Sequence, residues 1–144
     1  MNVGGLVDTG AILAILDRDD RWHSACVAAY QNLRAPLLTS EAILTELFHL
    51  VDRHEIERAW RFVRSGAVTV GAIMDDDLSA LNGLMLKYRD RPMDFADATL
   101  VHLAQREAIH VIFTIDHDDF ETYRIEGRKK FRIVPGRDAL SRSR

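Results

Sequence analysis

Five short apolar runs, separated by stretches with helical spacing, leave this chain few folds to adopt. Residues 3–7, 36–39, 67–73, 110–115 and 131–134 have the length and apolar content of buried strands. Between them, residues 11–16, 22–33, 41–51, 55–65 and 75–87 place apolar side chains at helical intervals. Ser40 is suited to cap the helix over 41–51, whose stripe reads Ile43, Leu44, Leu47, Leu50 and Val51. The segment 91–105, RPMDFADATLVHLAQ, adds one more helix, with Pro92 just before its start. Strands alternating with helices predict a mostly parallel sheet covered on both faces. At 144 residues the chain suffices for one domain. It is expected over 1–136, followed by a basic, flexible tail at 137–144.

Ligands of such sheets bind at the carboxyl ends of the strands, which makes the positions of the acids informative. Asp8 and Asp116 each stand where a strand is expected to end. Glu46 and Asp97 fall in the early turns of helices entering from the same edge. Asp94 precedes Asp97 by one helical turn, so both share a face. Capping explains each acid singly: Asp94 and Asp97 as a capping box, Asp8 as a helix cap, Asp116 as turn chemistry. Glu46 is an edge residue able to reach solvent. The triplet Asp75, Asp76 and Asp77 reads as a solvated helix N-terminus, and Asp118 and Asp119 as turn or cap residues. Four carboxylates converging on one edge would repel one another unless a cation sat among them. All-oxygen ligation favours Mg²⁺ or Mn²⁺, and such a site suits phosphodiester cleavage by metal-activated water.

Other chemistries lack their residues. There is no Walker loop, GxGxxG, GxSxG or HExxH pattern. The six histidines are scattered without cysteine partners, so zinc is not expected. The single cysteine, Cys26, reads as a small buried residue and fits a reducing compartment. No apolar run approaches the roughly 20 residues of a membrane span, and the start shows no signal-peptide pattern, so a cytoplasmic location without membrane attachment is expected. Net charge is −3 but uneven: residues 124–144 hold 8 basic and 2 acidic residues, the remainder 11 and 20. An acidic body with a basic end can hold a metal in one place and a polyanion in another.

The motifs Val-Asp-Thr at the end of the first run, SEAILTELFHL, DFADATLVHLA and FTIDHDDF, in that order, resemble those of PIN-domain ribonucleases. More narrowly, the chain is similar to the VapC-type toxins of prokaryotic toxin–antitoxin pairs. The resemblance covers residues 3–135, nearly the whole chain. It implies a three-layer α/β/α sandwich and Mg²⁺- or Mn²⁺-dependent endonuclease cleavage of RNA. The family's four acids fall on Asp8, Glu46, Asp97 and Asp116, with Asp94 an extra carboxylate able to reach metal through water. Thr9 and Thr114 match hydroxyl residues that support the acids, and Asp119 is a further supporting candidate. Homodimers and a protein antitoxin that blocks the site are also implied. Trp60, Arg61 and Phe62 either line a partner groove or pack in the core. Arg124, Arg128, Lys129, Lys130 and Arg132 are the candidates for RNA phosphate contacts. Three alternatives remain: a PIN nuclease in RNA processing without an antitoxin, a non-catalytic metal- or RNA-binding module, and a phosphoacceptor domain. The last would need a lysine after a late strand, where this chain reads FTID.

Overall fold

The first strand takes the middle of the sheet. In the computed structural model, which describes residues 2–91 and 93–142, β1 (Leu6–Val7) lies between β2 (Leu37–Ser40) and β4 (Val111–Phe113). β3 (Val68–Gly71) and β7 (Arg132–Val134) form the two edges, giving the order β3-β2-β1-β4-β7 with every pair parallel. Leu6 stands in register with both Leu38 and Ile112. Successive strand side chains point to opposite faces, so each strand feeds two cores. Leu6, Leu38 and Ile112 go to one, Val7, Leu37 and Phe113 to the other.

Helices fill the two outer layers. α1 (Thr9–Leu16) and α2 (His23–Gln31) connect β1 to β2; α3 (Glu41–Leu50) and α4 (Ile56–Phe62) connect β2 to β3. α5 (Leu78–Lys87) and α6 (Phe95–Glu107) lead into β4, which is followed by α7 (His117–Thr122). This is the three-layer α/β/α sandwich that the alternation predicts. The chain moves outward from β1 to β3, then returns to the other side of β1 with β4. The sheet therefore has its switch point between β1 and β4, where parallel sheets open a crevice for ligands.

Several elements differ from the reading of the sequence. The strands are two to four residues long, because flanking residues leave the ladder for turns and caps. The helix expected over 55–65 has a separate first turn at Arg53–Glu55, and Gly66, at φ 95°, turns the chain toward β3. Leu50 is not a core residue: it is 55% exposed, because the last turn of α3 lies over the cleft described below. Asp77 is not a solvated end residue, since its carboxylate receives Met74 N–H and faces His102 and Arg106. A small antiparallel hairpin, β5 (Arg124–Ile125) with β6 (Lys129–Lys130), escaped the reading because two-residue strands carry no periodicity. Cys26 is fully buried.

Arg137 is bound to Asp118 at 2.6 Å and to Glu121 at 2.9 Å, and α8 (Ala139–Arg142) forms one helical turn. Pro92 and residues 143–144 of the expected tail lie outside the described residues. No described helix is long and apolar enough to cross a membrane.

Candidate active site

At the switch point, Asp8 leaves β1 and caps α1. Its Oδ1 accepts the N–H of Thr9 at 2.8 Å, and its Oδ2 accepts the hydroxyl of Thr114 at 3.0 Å. The same Thr114 oxygen accepts the N–H of Asp116 at 3.0 Å. One hydroxyl therefore fixes the acid after β1 and the acid after β4. Gly10 allows the two strand ends to approach, since a Cβ there would come within 2.9 Å of Ile115. Thr9 supports Asp8 through its backbone only; its hydroxyl donates to the carbonyl of Ile43, joining α1 to α3.

α6 brings in the second pair. Asp94 is its N-cap, accepting Asp97 N–H at 2.8 Å, so the capping reading describes Asp94 correctly. Asp97 behaves otherwise. The residue is 9% exposed, and its Oδ2 receives the hydroxyl of Tyr123 at 2.9 Å. Ser40 holds this helix against α3: it caps α3 through Ile43 N–H and bonds the Thr99 hydroxyl at 2.7 Å. Thr99 donates onward to the Ala96 carbonyl, so Ser40 is the donor of that pair. The tie sets the helix carrying Glu46 against the helix carrying Asp97.

Asp116 caps α7 by accepting Asp119 N–H at 3.4 Å. Asp8, Glu46, Asp94, Asp97, Asp116 and Asp119 all line one cleft of about 280 Å³. Oxygens of Asp97, Asp116 and Asp119 lie within 4.8 Å of one another. Asp118 is outside the cleft, exposed and held by Arg137. A larger cavity of about 670 Å³, between α2 and the β7 edge, has no acid among its lining residues. Size therefore does not mark the chemistry; the convergence of carboxylates does.

The electrostatics of the cleft are adverse to the acids themselves. Burial pushes the Asp97 carboxyl up to about 8, and the charges of Asp8 and Asp94 push it further in the same direction. Burial also lifts Asp8 to about 6 against its two hydrogen bonds, with Glu46 and Asp116 adding to the rise. Asp116 rises to about 6 through burial and then through its contact with Asp119. Among the described residues, no basic side chain forms an ion pair with Asp8, Glu46, Asp94, Asp97 or Asp116. A set of oxygen donors that repel one another and lack a cation fits a hard divalent metal.

The basic candidates are not gathered at the cleft. Arg124 places its Nη1 on the carbonyls of Glu121, Thr122 and Tyr123, closing the end of α7. Lys129 and Lys130 lie exposed on β6, and the Arg128 side chain is 84% exposed near the hairpin tip. Glu126 N–H bonds Gln105, eight residues beyond Asp97, so the tip lies roughly 12 Å along α6 from it. Arg132 lies on the edge strand and lines the cavity near α2. Trp60 is 48% exposed and stacks on Phe48 at 4.5 Å, while Phe62 is half-buried against Tyr30.

Tyr123 was missed by the sequence reading. Phe120 and Tyr123, three apart after Asp116, do mark the inner face of a helix, but nothing in the spacing says that the phenol meets Asp97. Burial pushes the Tyr123 hydroxyl above its usual range, so it remains a donor.

The family model of the PIN domain matches residues 5–126. Ribonuclease VapC26 of Mycobacterium tuberculosis (strain ATCC 25618 / H37Rv) is 26% identical over 142 residues, covering 90% of this chain and 99% of that protein. The crystal structure of Mycobacterium tuberculosis VapC20, described as a sarcin–ricin loop cleaving toxin, superposes with a TM-score of 0.68 at 21% identity. That match covers 78% of this chain and 90% of the other, and it supports the fold.

Proposed function

The chain belongs to the PIN-domain family, and on that premise we propose that it is an endoribonuclease dependent on Mg²⁺ or Mn²⁺, the toxin of a toxin–antitoxin pair. The observation carrying this reading is the meeting of Asp8, Glu46, Asp97 and Asp116 in one cleft, with no basic side chain among the described residues paired to any of the four. The name of the relative, Ribonuclease VapC26, supports RNA as the substrate.

Asp8, Glu46, Asp97 and Asp116 would hold the metal, and Asp94, the helix cap, is the extra carboxylate that could reach it through water. When bound, the metal lowers the pKa of a water and neutralises charge on the leaving oxygen of the phosphodiester. The remaining work belongs to the chain. Thr114 fixes the separation of Asp8 and Asp116, and Tyr123 fixes one oxygen of Asp97. Glu46, on α3, supplies the acid from the far wall, beside Leu13 and Leu50. Burial of Asp8 and Asp97 limits the screening of their charge by bulk water, which strengthens their attraction for a divalent cation.

A protein antitoxin that places a basic side chain among these acids would silence the cleft. Exposed Leu50 at its wall offers that partner an apolar contact. Exposed Leu78, Met85 and Leu86 on α5 support a homodimer. A cytoplasmic location is part of the same proposal.

The test is cleavage of a mixed RNA pool by purified protein with Mg²⁺, with Mn²⁺ and with EDTA, beside Asp97→Asn. Cuts that vanish in EDTA and in the variant are expected. Intact RNA under every condition, from antitoxin-free protein, would move the reading to a non-catalytic binding module.

A further inference from the structure

A cleft of six carboxylates must receive a polyanion, and the basic residues nearest in sequence are committed elsewhere. Arg124 places its Nη1 on three carbonyls at the end of α7 and does not line the cleft, Arg137 is bound to Asp118 and Glu121, and the hairpin lysines lie along α6 toward Gln105. Arg91 is different. Its Nε donates to Asp119 Oδ1 at 3.2 Å, the one ion pair to a cleft acid among the described residues. The bond uses a single nitrogen. Nη1 and Nη2 make no hydrogen bond to another described residue, and the side chain is 47% exposed. A guanidinium anchored at Nε presents its two terminal nitrogens as a fork, the geometry that matches two phosphate oxygens.

Resting on the ribonuclease reading above, we infer that Arg91 is the phosphate clamp of this cleft, gripping the RNA backbone beside the acids while Asp119 holds its Nε. Asp119 is then a positioning residue for Arg91. Its place beside Asp97 and Asp116 brings the clamp to the reacting bond. Arg91 also faces the charge of Asp118, so the outer side of α7 attracts its head from two positions.

The test measures RNA binding apart from cleavage. Full-length protein carrying Asp97→Asn, so that RNA stays intact, is titrated with a fluorescent mixed-sequence single-stranded RNA in Mg²⁺ across a salt series. Arg91→Ala in that background is expected to weaken binding by about tenfold, the scale of one charge-assisted hydrogen bond. The log–log salt slope should become shallower by about 0.7, the value for one phosphate contact on a single strand. Arg91→Lys should recover the slope without the full affinity, because it keeps the charge and loses the fork. Mn²⁺ binding, measured by calorimetry on protein with Asp97 intact, should be unaffected by Arg91→Ala. Unchanged RNA affinity and slope in Arg91→Ala would overturn the clamp, as would full recovery of affinity by Arg91→Lys. Loss of Mn²⁺ binding in Arg91→Ala would overturn it too, since Arg91 would then only organise the acids. Failure of the Arg91-containing parent to bind RNA, together with no cleavage by the native protein, would count against the ribonuclease reading itself.

Discussion

Two aspartates at opposite ends of α6 are driven in opposite directions. Asp77 meets the last turns of the helix, 2.7 Å from His102 Nε2 and 3.2 Å from Arg106, and receives Met74 N–H at 2.8 Å. The Met74 bond and then the His102 bond hold its carboxyl down at about 2. Asp97 sits in the first turn among other acids, and burial raises it to about 8. The helix N-terminus favours negative charge at Asp97 and does not prevent this rise. An acid that meets the Arg106 guanidinium and the His102 ring closes a contact between the start of α5 and the end of α6. One that meets acids remains uncompensated within the chain, and a metal supplies what is missing.

The sharpest way to break this comparison is to neutralise each acid in turn. Asp97→Asn should reduce RNA cleavage by at least about a hundredfold. At pH 8 in EDTA it should also raise the melting temperature, because it removes a repelled charge. Asp77→Asn should do the reverse on both counts, with lower melting temperature and near-native cleavage. If both variants lost cleavage and stability together, the two ends would not have separate roles.

Protons give the next largest effect. Folded Asp8 and Asp116 titrate at about 6 and Asp97 at about 8, against about 3.9 in an unfolded chain. Between pH 4 and 8 the folded chain holds protons that the unfolded chain has released, so these acids make stability fall as pH rises. Asp77 has the opposite sign: its contribution is complete above the unfolded value and is lost as pH falls from about 4 toward 2. Metal-free protein should thus melt lower at pH 8 than at pH 5.5, and Mn²⁺ should raise the melting temperature more at pH 8. A flat profile in EDTA would remove the electrostatic argument for the cleft.

Smaller changes sharpen the same contrast. Tyr123→Phe removes only the hydroxyl on Asp97 and should slow cleavage by about tenfold while the fold persists. Thr114→Val breaks the link between Asp8 and Asp116, with an expected cost of about 1 kcal/mol in stability and a weaker metal site. Arg106→Ala should have the smallest effect on cleavage, leaving it near native, because its contacts are all at the far end of α6.

The layered fold was legible because short apolar runs alternate with segments of helical spacing, and in the structure strand neighbours such as Leu6 and Val7 feed different cores. Asp8 and Asp116 could be picked out from strand ends alone, and the two line the same cleft. Residues that meet through tertiary contacts could not. Tyr123 reaches Asp97 across 26 positions and Arg91 reaches Asp119 across 28, with no local pattern to announce either. Asp77 was misread for the same reason, since its partners lie 25 and 29 residues onward. The basic run 124–132 stood out in sequence, yet geometry puts Arg124 to work on carbonyls and places its lysines on a hairpin.

The most direct measurement is Mn²⁺ binding by calorimetry at pH 8 to the native protein, to Asp97→Asn and to Asp77→Asn. The expected result is binding by the native chain and by Asp77→Asn, and loss of it in Asp97→Asn. Mn²⁺ binding that survives Asp97→Asn unchanged, or that disappears with Asp77→Asn, would contradict a metal centre built from the repelling acids of the cleft.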